Sequence, residues 1–326
     1  MVSFYTIAPL RWRRRVKRVA FLTLNNQPDL RGVHLPVATP FSDTGEVARD
    51  SFASNLSEWL AHPIAGVVIA GSTGEAPLLS QPELFDLVEI AAPFVDGRNL
   101  TVGTGAEATR DVITANCEVA NRGATAVLVR SPYYYQPAMK PGVVRDHFLR
   151  IADESPVPVI LYHIPKFVSV ELVPDLVGRL VEHPNIIGIK DSSGDIHNLG
   201  ALVEACGDRG SVLVGSGALL YAALEAGAVG GILAVAVIAT HSSCALYNAW
   251  RAGDHAQAGA MQERIGPLHK TVVVKCGISG VKIAMDRIGL FGGAPRLPLP
   301  LADDEKVETV EDALKTAGLG VSSEAS

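Results

Sequence analysis

The stretch Ile186-Ile187-Gly188-Ile189-Lys190-Asp191-Ser192-Ser193-Gly194 (186–194, IIGIKDSSG) decides how the rest of the chain is read. A short apolar run stops abruptly on two charges and then on small, turn-forming residues, which is the pattern of a buried strand ending at a loop. Lysine is rarely buried without a partner, so Lys190 at such a strand end has two readings. In one it pairs with Asp191 at a sheet rim. In the other, desolvation draws the ammonium toward its neutral form, and the free amine attacks a ketone to form a Schiff base.

The same unit recurs on both sides of this stretch. From Gly32 onward, apolar and β-branched runs end in small or polar residues and are followed by segments with helical spacing. The strand candidates are 33–38, 66–70, 100–103, 126–129, 157–162, 186–190, 211–214 and 231–235. The helix candidates between them are 47–61, 81–94, 108–122, 143–153, 173–182, 196–206 and 218–226. Strands that are apolar almost throughout belong to a sheet covered on both faces, hence to parallel strands joined by crossover helices. Eight consecutive units predict an α/β fold, a (β/α)8 TIM barrel with a C-terminal helical extension. The competing doubly wound sheet would want a GxGxxG turn after the first strand, and that turn is absent. Beyond the eighth strand, 242–252, 255–268 and 278–288 read as helices without intervening strands, and a last helix is expected over about 308–317. The expected divisions are a basic extension over 1–30, the barrel over 31–237, the helical extension over 238–300, and a terminal helix with a Ser-rich tail over 301–326.

Composition narrows the function classes. Of 326 residues, 48% are hydrophobic and only 19% charged, enough to bury a large core. A net charge of −6 gives no general attraction to nucleic acid, and no apolar run is long enough to span a bilayer. Cys117, Cys206, Cys244 and Cys276 are widely spaced, and reduced core thiols in a cytoplasmic compartment are expected. Arg11, Arg13, Arg14, Arg15, Lys17 and Arg18 form a basic cluster with no acid before Asp29. It reads as a loose extension upstream of the folded domain. The alternatives are a mitochondrial presequence or a surface for nucleic acid or membrane.

A barrel of this kind builds its site at the C-terminal ends of the strands. Strand two ends in Gly71-Ser72-Thr73-Gly74-Glu75, where two small hydroxyls between glycines could receive a carboxylate or simply cap a tight turn. Strand four ends in Ser131-Pro132-Tyr133-Tyr134-Tyr135 and strand five in Tyr162-His163-Ile164-Pro165. Tyr162 would present its phenol to the barrel mouth, as a proton carrier or as a packing residue; His163 would face the other way. Glycine turns at 215–217 and 230–231 would suit a phosphate, but no Lys or Arg lies near either one. The nine histidines show no HxH or HExxH spacing, so no metal is expected, and a GxSxG elbow is missing.

Taken together, GSTGE at 71–75, SPYYYQP at 131–137, LYHIP at 161–165 and GIKDSSGD at 188–195 resemble the family of pyruvate-dependent class I aldolases that contains dihydrodipicolinate synthase and N-acetylneuraminate lyase. The resemblance covers about 32–300. It implies that Lys190 forms the imine, that Tyr162, linked to Thr73 and Tyr134, shuttles protons, and that Ser72 and Thr73 bind the keto-acid carboxylate and relay protons. It also implies that Tyr134 reaches into a neighbouring subunit's site, that Gly215 and Ile232 line the pyruvate pocket, and that the assembly is a homotetramer of tight dimers. No cofactor is implied.

One position departs from the synthases. There, an arginine two residues after the proline of an LYNVP-type motif binds the second substrate's carboxylate; here Phe167 follows Lys166. Phe167 cannot make that bidentate contact. Long stretches such as GISGVKIAMDRIGLFGGAPRLPL look closest to 4-hydroxy-2-oxoglutarate aldolases. The expected reaction is therefore cleavage of a 4-hydroxy-2-oxo acid, 4-hydroxy-2-oxoglutarate, to pyruvate and glyoxylate. The alternatives are the synthase, which joins pyruvate to aspartate semialdehyde, a sugar-acid aldolase or dehydratase, and a non-catalytic barrel that binds keto acids.

Overall fold

A computed structural model of the chain describes residues 27–320. The basic cluster at 11–18 and the end of the Ser-rich tail at 321–326 lie outside the described residues. Eight parallel strands close into one barrel in chain order: β1 (Gly32–Pro36), β2 (Gly66–Ile69), β3 (Asn99–Gly103), β4 (Ala126–Arg130), β5 (Val159–His163), β6 (Ile186–Asp191), β7 (Ser211–Val214) and β8 (Gly230–Ile232). The ring is sealed where Gly32, Val33 and His34 pair with Gly230, Gly231 and Ile232. Every residue of β1, β2, β5 and β6 is buried, as a sheet with side chains filling its inside and helices covering its outside requires.

The covering helices are α1 (Arg49–Leu60), α2 (Gln81–Ala91), α3 (Thr109–Asn121), α4 (Pro141–Glu154), α5 (Pro174–Leu180), α6 (Ile196–Cys206), α7 (Leu220–Glu225) and α8 (Thr240–Arg251). Their starts follow local chemistry. Ser80 and Glu83 form a reciprocal capping box at α2, with Pro82 in the first turn, and Asp195 caps α6 through the His197 N–H at 2.8 Å. Strand β6 carries one tight spot: a Cβ added to Gly188 would lie 2.1 Å from the Ser211 carbonyl oxygen, so β7 can pair here only against a glycine.

Three details differ from expectation. Strand eight ends at Ile232, not at 235, and Ala234–Val237 form a 3-10 turn. Val235, Ala236 and Val237 are buried, so hydropathy alone could not separate turn from strand. The last helix, α11 (Asp304–Thr316), starts four residues before the expected 308, because Asp303 accepts the Lys306 N–H at 2.9 Å and caps it. Finally, α9 (His255–Leu268) does not stop but continues into a π-helix, His269–Lys275, that leads into α10 (Gly277–Arg287). At the opposite end of the barrel Gln27 donates to the Pro184 carbonyl, and Leu30 is buried, so residues 27–31 pack with the barrel. Among the described residues no helix is long and apolar enough to cross a membrane.

Among the described residues four imidazoles are buried, and three of them lack a charged partner. Desolvation pulls His34, His147 and His269 down to about 4, so they are neutral in the fold. An unfolded histidine takes up its proton near pH 6.5, so between about 6.5 and 4 the unfolded chain binds more protons. Stability is therefore complete above that window and declines as pH falls through it, by on the order of 1–3 kcal/mol per imidazole. Thermal melts from pH 7.5 to 4.5 should show the midpoint falling steadily below pH 6.5; a flat profile would contradict the assignment.

Candidate active site

The strand ends meet at a cavity of about 360 Å³ at the C-terminal mouth of the barrel. Lys190 and Tyr162 are paired neighbours across β5 and β6, as are His163 and Asp191. Side chains alternate along a strand, so one pair faces the barrel interior and the other the helices. The Lys190 Nζ lies 3.3 Å from the Tyr162 hydroxyl and 4.3 Å from the centre of its ring, and the lysine is only 5% exposed. The same hydroxyl is 3.3 Å from the Ser72 Oγ, so amine, phenol and serine form a continuous row of proton-bearing groups. Thr73, expected beside the phenol, lines the cavity, but the hydroxyl within hydrogen-bond reach of Tyr162 is that of Ser72.

Asp191 is occupied elsewhere. Its Oδ1 is 2.8 Å from the His163 Nδ1, and its carboxylate also accepts from the Ser193 N–H and hydroxyl and from the Asn198 amide. A carboxylate can only accept, so that imidazole carries its proton on Nδ1. The rim pair between Lys190 and Asp191 is therefore not formed, and among the described residues no salt bridge involves Lys190. The Asp191 network instead holds the loop that brings Ser192, Ser193 and Gly194 to the cavity wall. Gly215 and Ile232 line the cavity too. A Cβ on Gly215 would meet the Ser192 Oγ at 2.0 Å, the Ser192 Cβ at 3.0 Å and the Asp191 carbonyl at 3.1 Å, so a side chain there would have to displace Ser192.

Phe167 and Lys166 lie on the outer wall, the ammonium 5.6 Å from the ring centre, and Phe167 is 57% exposed. Tyr134 is the one candidate that is not brought to the cavity within a single chain. It is 73% exposed, meets Tyr135 edge-on at 5.0 Å, and has its N–H held by Glu107 at 2.9 Å. The tyrosines at 133 and 134 are thus fixed in backbone while their rings face outward.

A whole wall escaped the sequence. His269 and Val273 from the π-helix, with Ile278 and Val281 from α10, close one side of the cavity. The His269 Nε2 lies 3.3 Å from the Ser216 Oγ. The extra residue per turn of a π-helix re-aims side chains, and such turns recur at functional sites. The only trace of it in the sequence is that the helical pattern of 255–268 stops just before His269.

Among the described residues the lining contains Lys190, Lys166 and several small hydroxyls, and no Asp or Glu. Its electrostatics therefore suit an anion. Among the described residues no group of three His, Cys, Asp or Glu side chains could hold a metal ion. A larger cavity, about 800 Å³, opens at the opposite end of the barrel around Asp29, Arg98 and Asn185, and holds none of these strand-end groups.

Comparison with known proteins agrees with this geometry. A model described as the dihydrodipicolinate synthetase family matches residues 29–317. The chain is 33% identical over 291 residues to the 4-hydroxy-tetrahydrodipicolinate synthase of Thermodesulfovibrio yellowstonii, covering 89% of this chain and 99% of that one. It is 34% identical over 285 residues to the enzyme of the same name from Methanothrix thermoacetophila, covering 87% and 96%. Among solved structures it resembles the chloride-inhibited dihydrodipicolinate synthase of Acinetobacter baumannii complexed with pyruvate, with a TM-score of 0.85 and 30% identity over 89% of this chain and 100% of that one. A prophage protein of the dihydrodipicolinic acid synthase family from E. coli K12, in complex with pyruvate, matches with a TM-score of 0.84 and 26% identity over 89% and 99%.

Proposed function

We propose, from the premise that this chain belongs to the dihydrodipicolinate synthetase family, that it is a class I aldolase acting on pyruvate through an imine on Lys190. The observation that carries the reading is the buried Lys190 amine held 3.3 Å from the Tyr162 phenol in a cavity without acids. The neutral amine adds to the C2 ketone, water leaves, and the protonated imine draws electrons from the adjacent carbon. Tyr162 carries protons to and from the reacting atoms, with Ser72 as the next group in the row. Ser72 and Thr73 receive the C1 carboxylate and so orient the ketone toward Lys190. In cleavage the C4 hydroxyl gives up its proton, the C3–C4 bond breaks, and an aldehyde departs from a pyruvate enamine. Protonation and hydrolysis release pyruvate. In condensation the enamine attacks an aldehyde instead.

Two readings of the aldehyde each have one observation behind them. The names carried by the relatives favour the synthase reaction with aspartate semialdehyde. Phe167, on the outer wall where a carboxylate-binding arginine would be wanted, favours cleavage of 4-hydroxy-2-oxoglutarate to pyruvate and glyoxylate. Lys166 beside it offers a point charge in place of a bidentate fork. Tyr134 enters either scheme only through a second copy of the chain, so the proposed assembly is a homotetramer of tight dimers. The exposed Tyr134 ring is what supports it.

Borohydride added with pyruvate should leave a reduced adduct on the peptide containing Lys190, seen by intact mass and peptide mapping. Its absence rules out the imine. Coupled assays run side by side on 4-hydroxy-2-oxoglutarate and on pyruvate with aspartate semialdehyde then decide the aldehyde. A much faster condensation would reject the weight given to Phe167.

A further inference from the structure

The 71–75 turn brings Ser72 and Thr73 to the cavity and ends on a residue with unusual backbone. Glu75 has φ 57° and ψ 36°, the left-handed region that a residue with a side chain enters only at a cost. Its carboxylate is then buried rather than exposed. Oε1 lies 2.7 Å from the Lys282 Nζ of α10, with both side chains at most 1% exposed. Oε2 accepts the Arg296 N–H at 2.8 Å. The Lys282 ammonium also donates to the Ala294 carbonyl at 2.9 Å and sits 4.5 Å from the centre of the Phe41 ring. The Arg296 guanidinium also lies 4.2 Å from the centre of the Phe41 ring and is held by Glu83 in the first turn of α2. Three segments distant in sequence, the loops after β1 and β2 and the segment after α10, are thus joined at one buried ion pair.

Such a pair is a poor source of stability, because desolvating both charges offsets most of their attraction, and an apolar pair of similar volume does as well. What an apolar pair lacks is direction. A charged contact fixes where the end of the turn lies, three residues from Ser72.

We propose that Glu75 and Lys282 are positioning residues: by tying the end of the 71–75 turn to α10, they hold the Ser72 Oγ within hydrogen-bond reach of the Tyr162 phenol. The assignment rests on the reading of Lys190 as the imine lysine. Neither residue touches the reacting atoms; both act through Ser72.

The test uses a reaction that does not depend on the aldehyde: exchange of the pyruvate methyl protons in deuterium oxide, which needs only imine and enamine. The parent, the double variant Glu75→Gln/Lys282→Met and the single variant Glu75→Asp are compared for melting midpoint, borohydride adduct, and kcat and KM of exchange. The double variant leaves no unpaired buried charge, so it is expected to melt near the parent. At saturating pyruvate it should still form the adduct, while kcat/KM for exchange falls about tenfold or more. Glu75→Asp keeps both charges but withdraws the carboxylate by one methylene, and should show the same loss of exchange together with a lower melting midpoint, because the buried ammonium is left with a stretched contact. A double variant with parental kcat and KM overturns the proposal. If the double variant does not fold, parental kinetics in Glu75→Asp overturn it instead. A parent that gives no adduct removes the imine reading, and this proposal with it.

Discussion

Lys190→Ala is expected to lose the borohydride-trapped pyruvate adduct altogether and to lower turnover by about 10³-fold or more. Among the described residues the substitution removes the only amine in contact with the Tyr162 phenol. Lys166, on the outer wall against the Phe167 ring, is exposed and does not share that setting. Stability should move in the opposite sense from activity, or hardly at all. Among the described residues no carboxylate is paired with Lys190, so its removal strands no buried charge there. A folded, inert Lys190→Ala protein with a parental or higher melting midpoint is the expected result. Full activity in that variant would end the class I mechanism.

Tyr162→Phe separates proton transfer from imine formation. The change deletes one oxygen, the one that lies 3.3 Å from both the Lys190 Nζ and the Ser72 Oγ. The ring stays, and with it the packing of a side chain only 7% exposed. Positioned general acid–base groups contribute about 10²–10⁴-fold, so kcat should fall by that much. The amine remains, so prolonged incubation with pyruvate and borohydride should still label Lys190, more slowly than in the parent. Loss of the label at all times would mean that the phenol is required for the amine to attack at all. An unchanged kcat would remove Tyr162 from the proton path.

The barrel was legible because its strands are buried on both faces: Val159–His163 and Ile186–Asp191 are apolar until their last residues, and those exceptions are the ones that face the cavity or its supporting network. Parity placed Tyr162 and His163 on opposite faces, whereas the rim pair of Lys190 with Asp191 stayed open until the structure showed Asp191 held by His163. Other features carried no such signal. Periodicity does not operate inside a turn, so no residue pattern marks Ser72 rather than the expected Thr73 as the neighbour of the phenol. Glu75 and Lys282 are over two hundred positions apart, and a pair that meets only in the folded barrel leaves no local pattern. The π-helix at His269–Lys275 arises from backbone hydrogen bonding that the residue pattern around it does not announce. Tyr134 was identified by resemblance alone, and within one chain its ring faces outward.

The cavity wall supplied by His269, Ile278 and Val281 has a bearing on biosynthesis. Chains fold from the N-terminal end as they are made. When Lys190 leaves the ribosome, neither β8, which seals the ring against β1, nor the last wall exists. The amine gains its enclosure only after Val281 and Lys282 have been added, so the nascent chain passes through an interval in which the lysine proposed to form the imine has no enclosed site around it.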